Sequence, residues 1–298
     1  MPKNKIIYLV GLDRSGSTIT GALLGMQESI AHFGELQFHA KAVLENRIVS
    51  GDQRIGEMPY WQSIHALLTK ELGADVFEQQ IKLKDKYERW RNLPLLLFHF
   101  ITKNQQLAAY WKYNRLLIDA LLEQENKTWI CDSSKNMIRR FALGLSGDFD
   151  LKTILLIRDA RAYCWSKQKR AEADQEKYNL KRTSLKWLLN NTLFVFISFW
   201  ASFLKIRFEE LGDHPDLALE KIGTKIGLDF SQVKKIIIHK YPIKLGNIIA
   251  GSHSVRKLLE SDFRSDVSWE TKLTNKDKRV ILLLTGWLMK LVGYRVNE

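Results

Sequence analysis

The sequence has few of the residues that mark a disulfide-stabilised, metal-binding or linker-rich protein. Only two of its 298 residues are cysteines and only five are prolines. Cys131 and Cys164 lie in apolar surroundings without the spacing of a metal site, so we expect reduced, buried thiols and no bound metal. No internal repeat, low-complexity segment or proline-rich linker is present. We therefore expect a single domain over residues 1–298.

Long hydrophobic runs are also scarce. An apolar run typical of a core strand begins close to Met1, so we expect no signal peptide and a cytoplasmic location. Residues 187–204 carry no charge over a length close to the ~20 residues of a membrane span. They include Asn190, Asn191 and Thr192, which favours a buried core helix. Peripheral contact with a membrane surface stays open.

The net charge is large and positive, because lysine and arginine outnumber aspartate and glutamate. The formal net charge is +13 and the sequence pI is about 9.6, which indicates an anionic partner. The lysines and arginines are scattered, and no zinc-finger or RNA-binding motif accompanies them, so we expect no nucleic-acid partner. A phosphate-bearing cosubstrate and an anionic membrane surface each explain the charge.

The stretch at residues 5–19, KIIYLVGLDRSGSTI, predicts an anion site. A buried strand ends at Gly11, a tight loop follows through Thr18, and a helical pattern comes after it. Backbone N–H groups converge at such a helix N-terminus, and Gly16 lets the chain approach a phosphate closely. The spacing is that of a Walker A loop, but Ser17 stands where kinases and ATPases carry lysine. The positive side chain comes earlier, as Arg14.

A second cluster of polar residues follows the predicted strand at residues 153–157. Arg158 comes directly after that strand, and Ser166 and Arg170 are four residues apart on one helix face. Arginine side chains with a hydroxyl suit a second phosphate, distinct from the one at the loop. The alternative, left open at this point, is that Arg158 and Asp159 form a structural ion pair.

The order of apolar runs predicts an α/β fold. Strand-like runs at residues 6–10, 30–33, 128–131, 153–157 and 204–208 alternate with helical patterns, which is typical of a central parallel sheet with helices on both faces. Residues 36–125 are mostly helical in pattern and too long for a simple crossover. We interpret them as a helical insertion that covers the active site and binds the acceptor.

These motifs resemble those of the sulfotransferases that use 3′-phosphoadenosine 5′-phosphosulfate (PAPS). Arg14-Ser15-Gly16-Ser17-Thr18 is similar to the family's 5′-phosphosulfate loop, R-S-G-[ST]-T. The sequence from Arg158 to Arg170 resembles the 3′-phosphate element R-D-P-R-A-x-x-x-S-x-x-x-R, with Ala160 in place of proline. Residues 34–36, 132–135 and 207–211 resemble further family segments, and residues 251–256 are loosely similar to the G-N-x-x-R element.

The resemblance implies a P-loop NTPase-like three-layer sandwich and a transferase that needs no metal. It further implies that PAPS is the cosubstrate and that a glycan, lipid-linked or small-molecule hydroxyl is the acceptor. The roles it implies are general base for Glu35 and charge stabilisation for Arg14, with the donor bound by Arg14, Ser15, Gly16, Ser17, Thr18, Arg158, Ser166 and Arg170. His32 and His39 are rival bases, but strand parity and helix position favour packing or surface positions for them.

Two alternatives remain at this stage. One is a P-loop kinase or NTPase in which Asp132 serves as a magnesium ligand, an interpretation that the missing loop lysine disfavours. The other is a non-catalytic basic protein that keeps a degenerate nucleotide site and binds an anionic membrane surface or nucleic acid. A requirement for Mg²⁺ separates the kinase from the sulfotransferase.

Overall fold

The computed structural model describes residues 3–49, 53–238, 248–249 and 266–296. Its centre is a five-stranded sheet in the order β2-β3-β1-β4-β5, in which β2 pairs parallel with β3 and β4 with β5. The strands are β1 Asn4–Gly11, β2 Ile30–His32, β3 Trp129–Lys135, β4 Phe149–Ile157 and β5 Leu204–Arg207. Residues 6–10 are fully buried, as expected for a strand whose two faces are both covered. The predicted α/β class is confirmed.

Helices make up most of the remaining described chain. They are α1 Ser17–Leu24, α2 His39–Leu44, α3 Pro59–Leu72, α4 Val76–Tyr87, α5 Leu93–Ile101, α6 Gln105–Glu125, α7 Met137–Ser146, α8 Ala160–Ala173, α9 Leu180–Trp200, α10 Phe208–Asp213, α11 Pro215–Ile226 and α12 Ser231–Ile238, then Trp269–Lys272 and a last helix, Asn275–Leu291. The predicted helical insertion corresponds to α2–α6. Asn136 and Asp159 cap α7 and α8 by accepting hydrogen bonds from backbone N–H groups of the first turn.

The described residues fall into two compact units. Unit 1 comprises residues 3–9, 18–49, 53–152 and 248–249, and unit 2 comprises residues 10–17, 153–238 and 266–296. Residues 10–17, which contain the predicted phosphate-binding loop up to Ser17, therefore belong to unit 2 together with β5 and α8–α12. The helical insertion and β3 belong to unit 1. A single domain and an acceptor-binding role for the insertion stay predictions. The predicted loop element at residues 251–256 lies outside the described residues.

Strand β3 is longer than the sequence pattern predicts. Asp132, Ser133 and Ser134 lie inside the strand rather than after it, and all three are buried. The backbone N–H of Ser133 donates to the carbonyl of Gly34 at 3.1 Å, which continues the pairing beyond β2. Polar residues are tolerated there because Asp132 and Ser134 bond to each other and to further partners.

Residues 187–204 were predicted to form a buried core helix. Helix α9 forms there, but one of its faces is exposed, and for that face the prediction is wrong. On α9, Trp187, Phe194 and Val195 are buried, but Leu189, Phe196 and Trp200 are exposed to solvent. The pattern was misread because an uncharged stretch does not reveal which of its faces is covered. Among the described helices, none is both long enough and apolar enough to cross a membrane.

Candidate active site

Two residues of the loop between β1 and α1 adopt left-handed backbone conformations. Arg14 has φ 68° and Gly16 has φ 88°. A Cβ atom on Gly16 would lie 2.0 Å from Cδ2 of Phe208, so glycine is required both by conformation and by space. The Ser15 hydroxyl donates to the carbonyl of Leu12 at 2.6 Å and thereby holds the turn closed. Helix α1 begins at Ser17, so Ser17 and Thr18 lie in its first turn and not in the loop where the sequence pattern predicts them.

Three of the predicted phosphate-binding residues meet in unit 2. The Nε of Arg14 donates to the Ser166 hydroxyl at 2.9 Å, and an Nη of Arg158 donates to the carbonyl of Arg14 at 3.0 Å. The Arg158 guanidinium also stacks 4.9 Å from the ring centre of Phe208. Loop and helix residues separated by about 150 positions are thus joined into one cationic cluster.

Arg158 is a buried cation with spare hydrogen-bonding capacity. Its Nε is buried and has no hydrogen-bond partner among the described residues. Burial lowers the pKa of the Arg158 guanidinium, and the nearby Glu209 carboxylate opposes that shift. A buried guanidinium with an unsatisfied N–H is stabilised by an anionic ligand that accepts from it.

The structural ion pair left open for Arg158 and Asp159 does not form. Asp159 instead binds Arg161, with an Nη–Oδ2 distance of 2.7 Å, and its backbone N–H donates to Glu209 at 3.1 Å. Tyr294 donates its hydroxyl proton to the other oxygen of Glu209 at 2.6 Å. These partners hold Asp159 away from Arg158. The roles of Arg161, Glu209 and Tyr294 at this point were not predicted from the sequence.

Arg170 is placed differently from the other predicted phosphate ligands. Its side chain is 62% exposed, and its Nε pairs with Asp174 at 2.5 Å. Ser166, one turn earlier on α8, is buried. The assignment of Arg170 to a phosphate therefore stays a prediction, and an arginine reaching the phosphate would have to leave Asp174.

In unit 1 the candidate base Glu35 lies between two donors. Lys135 Nζ is 2.5 Å from Glu35 Oε1, and Gln37 Nε2 donates to Oε2 at 3.1 Å. Gln37 is itself fixed by the carbonyl of Ser134 at 2.9 Å. Lys135 adopts φ 65°, an unusual conformation for a lysine at the end of a strand. The carboxylate of Glu35 is therefore oriented by its neighbours, and Gln37 was not predicted from the sequence.

The rival bases are core residues. His32 is buried with Nε2 at 3.4 Å from the Ser133 hydroxyl, and burial lowers its pKa to about 3. His39 is fully buried with Nδ1 at 2.7 Å from the Tyr113 hydroxyl, and burial lowers its pKa well below the usual value. Imidazoles that resist protonation are poor acceptors of a substrate proton near neutral pH. Of the packing and surface positions expected for them, both histidines occupy packing positions.

These histidines predict that unit 1 loses stability in mild acid. Folded His32 and His39 stay neutral as the pH falls below about 6.5, whereas the unfolded chain takes up protons. Each is expected to reduce the free energy of unfolding by about 1.4 kcal/mol per pH unit between about pH 6.5 and its folded pKa. Urea denaturation between pH 7 and pH 5 measures this slope. His32→Asn should flatten it; a slope equal to that of the parent protein would contradict the assignment.

Asp132 is not placed as a free metal ligand. Its Oδ1 accepts from the backbone N–H of Ser134 at 2.9 Å, and its Oδ2 accepts from Arg139 Nε at 3.2 Å. Arg139 also donates to Glu88 at 2.9 Å, and all three charged side chains are 1% exposed. Both carboxylate oxygens of Asp132 are occupied by protein donors. In the part of the chain that the structure describes, no cluster of three metal-ligating side chains is present.

The family of this chain follows from its match to a model of known protein sequences. A family model described as "Sulfotransferase family" matches residues 7–232, which is most of the chain. The chain belongs to the sulfotransferase family. No curated protein sequence matches it significantly.

Solved sulfotransferase structures share the fold at low sequence identity. The sulfotransferase domain from the Synechococcus PCC 7002 olefin synthase is 18% identical, with a TM-score of 0.56 over 99% of this chain and 96% of that one. The sulfotransferase domain from the curacin biosynthetic pathway is 14% identical, with a TM-score of 0.53 over 100% of both chains. Sulfotransferase STF9 from Mycobacterium avium is 11% identical, with a TM-score of 0.50 over 99% of this chain and 78% of that one.

Proposed function

We propose that this sulfotransferase transfers the sulfuryl group of PAPS to a hydroxyl group of an acceptor. The observation that carries the proposal is the cluster of Arg14, Ser166 and Arg158, in which a buried guanidinium keeps an unsatisfied N–H. PAPS carries a phosphosulfate and a 3′-phosphate, and the cluster joins arginines from the two sequence motifs, one for each group. A cytoplasmic location is part of the same proposal.

The loop and the arginine have complementary tasks. The phosphosulfate lies against the backbone N–H groups that lead into α1, where the helix dipole adds positive potential. Arg14 and the hydroxyls of Ser17 and Thr18 face the oxygens on which negative charge grows. Arg158 and Ser166 bind the 3′-phosphate. The protein thereby positions the groups and stabilises charge, as in phosphoryl transfer.

In the reaction, an acceptor oxygen attacks sulfur in line with the bond to the bridging oxygen of the 5′-phosphate. A new S–O bond forms, the S–O bond to the 5′-phosphate breaks, and 3′-phosphoadenosine 5′-phosphate (PAP) leaves with that electron pair. Glu35 takes the proton of the acceptor hydroxyl. For that step one Glu35 oxygen must exchange a present donor for the hydroxyl, and the 3.1 Å bond from Gln37 is the weaker of the two.

The acceptor is proposed to be a glycan, a lipid-linked hydroxyl or a small molecule. Aromatic side chains of the helical insertion differ in how far they are exposed. Trp61 and Tyr110 are fully buried and act as core, whereas Trp90, Phe98 and Phe100 remain exposed. Exposed aromatic faces suit sugar rings and lipid chains alike.

Calorimetric titration with PAP in EDTA tests the donor site, with adenosine 5′-phosphate titrated in parallel. We expect tight binding of PAP, and we expect Arg158→Ala to weaken it by a factor on the order of 10², because a charge-assisted contact to the 3′-phosphate is lost. Binding of adenosine 5′-phosphate should change little. The exposed Arg182→Ala serves as the matched control and should bind PAP like the parent protein.

Two results would contradict the proposal. Equal losses for both nucleotides in Arg158→Ala would mean that Arg158 does not bind the 3′-phosphate. Binding of ATP with Mg²⁺ in place of PAP would favour the kinase alternative, in which case Asp132 would have to leave Arg139.

A further inference from the structure

Helix α9 exposes an apolar face instead of a polar one. Leu189, Leu193, Phe196 and Trp200 are spaced by four, three and four residues, which places them on one side of the helix. Leu189 is 67%, Phe196 61% and Trp200 81% exposed, and the rings of Phe196 and Trp200 lie 6.4 Å apart. We call these four residues the α9 apolar face. Contiguous exposed apolar side chains of this size indicate a surface that binds another protein, a membrane or a ligand.

The last helix, Asn275–Leu291, packs against α9 and carries a second exposed apolar row. Leu283 is 88%, Trp287 55% and Leu291 61% exposed, again at a spacing of four residues. The opposite sides of both helices are buried in unit 2 and supply its core, so the exposed rows are not needed for core packing. Unit 2 thus exposes two apolar rows on neighbouring helices.

Along the chain, basic residues flank the α9 apolar face on both sides, and two of them are paired, Lys186 with Asp13 and Arg207 with Glu210. Between Glu176 and Glu209 the chain contains six basic residues and no acidic one: Lys177, Lys181, Arg182, Lys186, Lys205 and Arg207. Lys181, Arg182 and Lys186 are exposed in the first turns of the same helix. Beyond its end, Lys205 Nζ lies 4.4 Å from the ring centre of Phe199. The apolar face is therefore bordered by positive charge at both ends.

We infer that the α9 apolar face docks unit 2 onto an anionic lipid bilayer. Tryptophan and phenylalanine insert into the boundary between headgroups and acyl chains, and bordering lysines and arginines bind anionic headgroups. Self-association through this face would bring the basic segments of two copies close together, which disfavours a symmetric dimer. The helix lies on the membrane without crossing it, and the inference does not depend on the proposed enzymatic activity.

Cosedimentation of the full chain with vesicles tests the inference. The vesicles contain phosphatidylcholine alone or with about 30% phosphatidylserine, so that headgroup charge is the only variable. We expect binding to the anionic vesicles, weakened by a factor of ~10 or more in the double variant Phe196→Gln/Trp200→Gln. The double variant Leu217→Gln/Ile238→Gln removes two exposed apolar side chains elsewhere in unit 2 and should bind like the parent. Circular dichroism checks that all variants are folded.

Charge-reversal variants distinguish the effect of the basic residues beside the α9 apolar face on vesicle binding from the effect of the protein's net charge. Each basic residue near an anionic surface contributes about a fivefold gain in affinity, so Lys181→Glu on α9 should weaken binding more than Lys225→Glu on α11. Three outcomes would overturn the inference: no binding of the parent to anionic vesicles, equal losses in both apolar double variants, or equal losses in both charge variants. A dimer in light scattering that Phe196→Gln/Trp200→Gln abolishes would assign the face to self-association and would also overturn it.

Discussion

Replacing Arg139 with methionine is expected to lower the free energy of unfolding by about 3–5 kcal/mol, because it leaves two buried carboxylates without their cation. Arg139 Nη1 is 2.9 Å from Glu88 Oε1, and its Nε is 3.2 Å from Asp132 Oδ2. Burial already raises the pKa of Glu88, and Arg139 opposes that shift. Chemical denaturation followed by tryptophan fluorescence measures the loss.

The matched control for Arg139 is an exposed ion pair in the same unit. Arg89 and Asp85 are four residues apart at 2.9 Å, with side chains about half exposed. Arg89→Met is expected to cost less than about 1 kcal/mol, since solvent screens the pair. A triple variant that adds Glu88→Gln and Asp132→Asn to Arg139→Met should regain part of the stability. If that variant regains nothing, the loss comes from packing and not from unpaired charge.

The change Glu35→Gln is expected to reduce turnover by a factor on the order of 10²–10⁴ without reducing nucleotide affinity. The amide keeps the shape of the side chain but cannot take up the acceptor proton. Turnover is measured with radiolabelled PAPS and the first hydroxyl compound, from a panel of glycans, sterols and phenols, that the parent protein labels. Binding of PAP to the same variant is measured by calorimetry.

A surface glutamate provides the control for this change. Glu45 pairs with Lys41 and Arg47 and is about half exposed, so Glu45→Gln should retain full turnover. Unchanged turnover in Glu35→Gln would remove Glu35 from the role of base. A loss of PAP affinity equal to the loss of turnover would mean that Glu35 acts on the donor site instead.

Several features of the fold and the site are visible in the sequence because local spacing encodes them. The runs at residues 6–10 and 153–157 are continuous and apolar, which predicts buried strands of a parallel sheet, and both are present. The loop Arg14–Thr18 is contiguous, and its glycine follows from the conformation that a tight turn before a helix needs. Even so, the end of β3 was predicted too early, because polar residues read as a strand terminus unless their buried partners are known.

By itself the sequence determined the α/β class, the two phosphate motifs and the sulfotransferase resemblance, since each depends on residues that are close together along the chain. The tertiary structure decided which side chains become partners. Asp159 binds Arg161 and leaves Arg158 without a carboxylate, and Asp132 is occupied by Arg139. It also decided that one face of α9 stays exposed. Contacts between residues distant in sequence depend on how elements pack, and periodicity within one element does not contain that information.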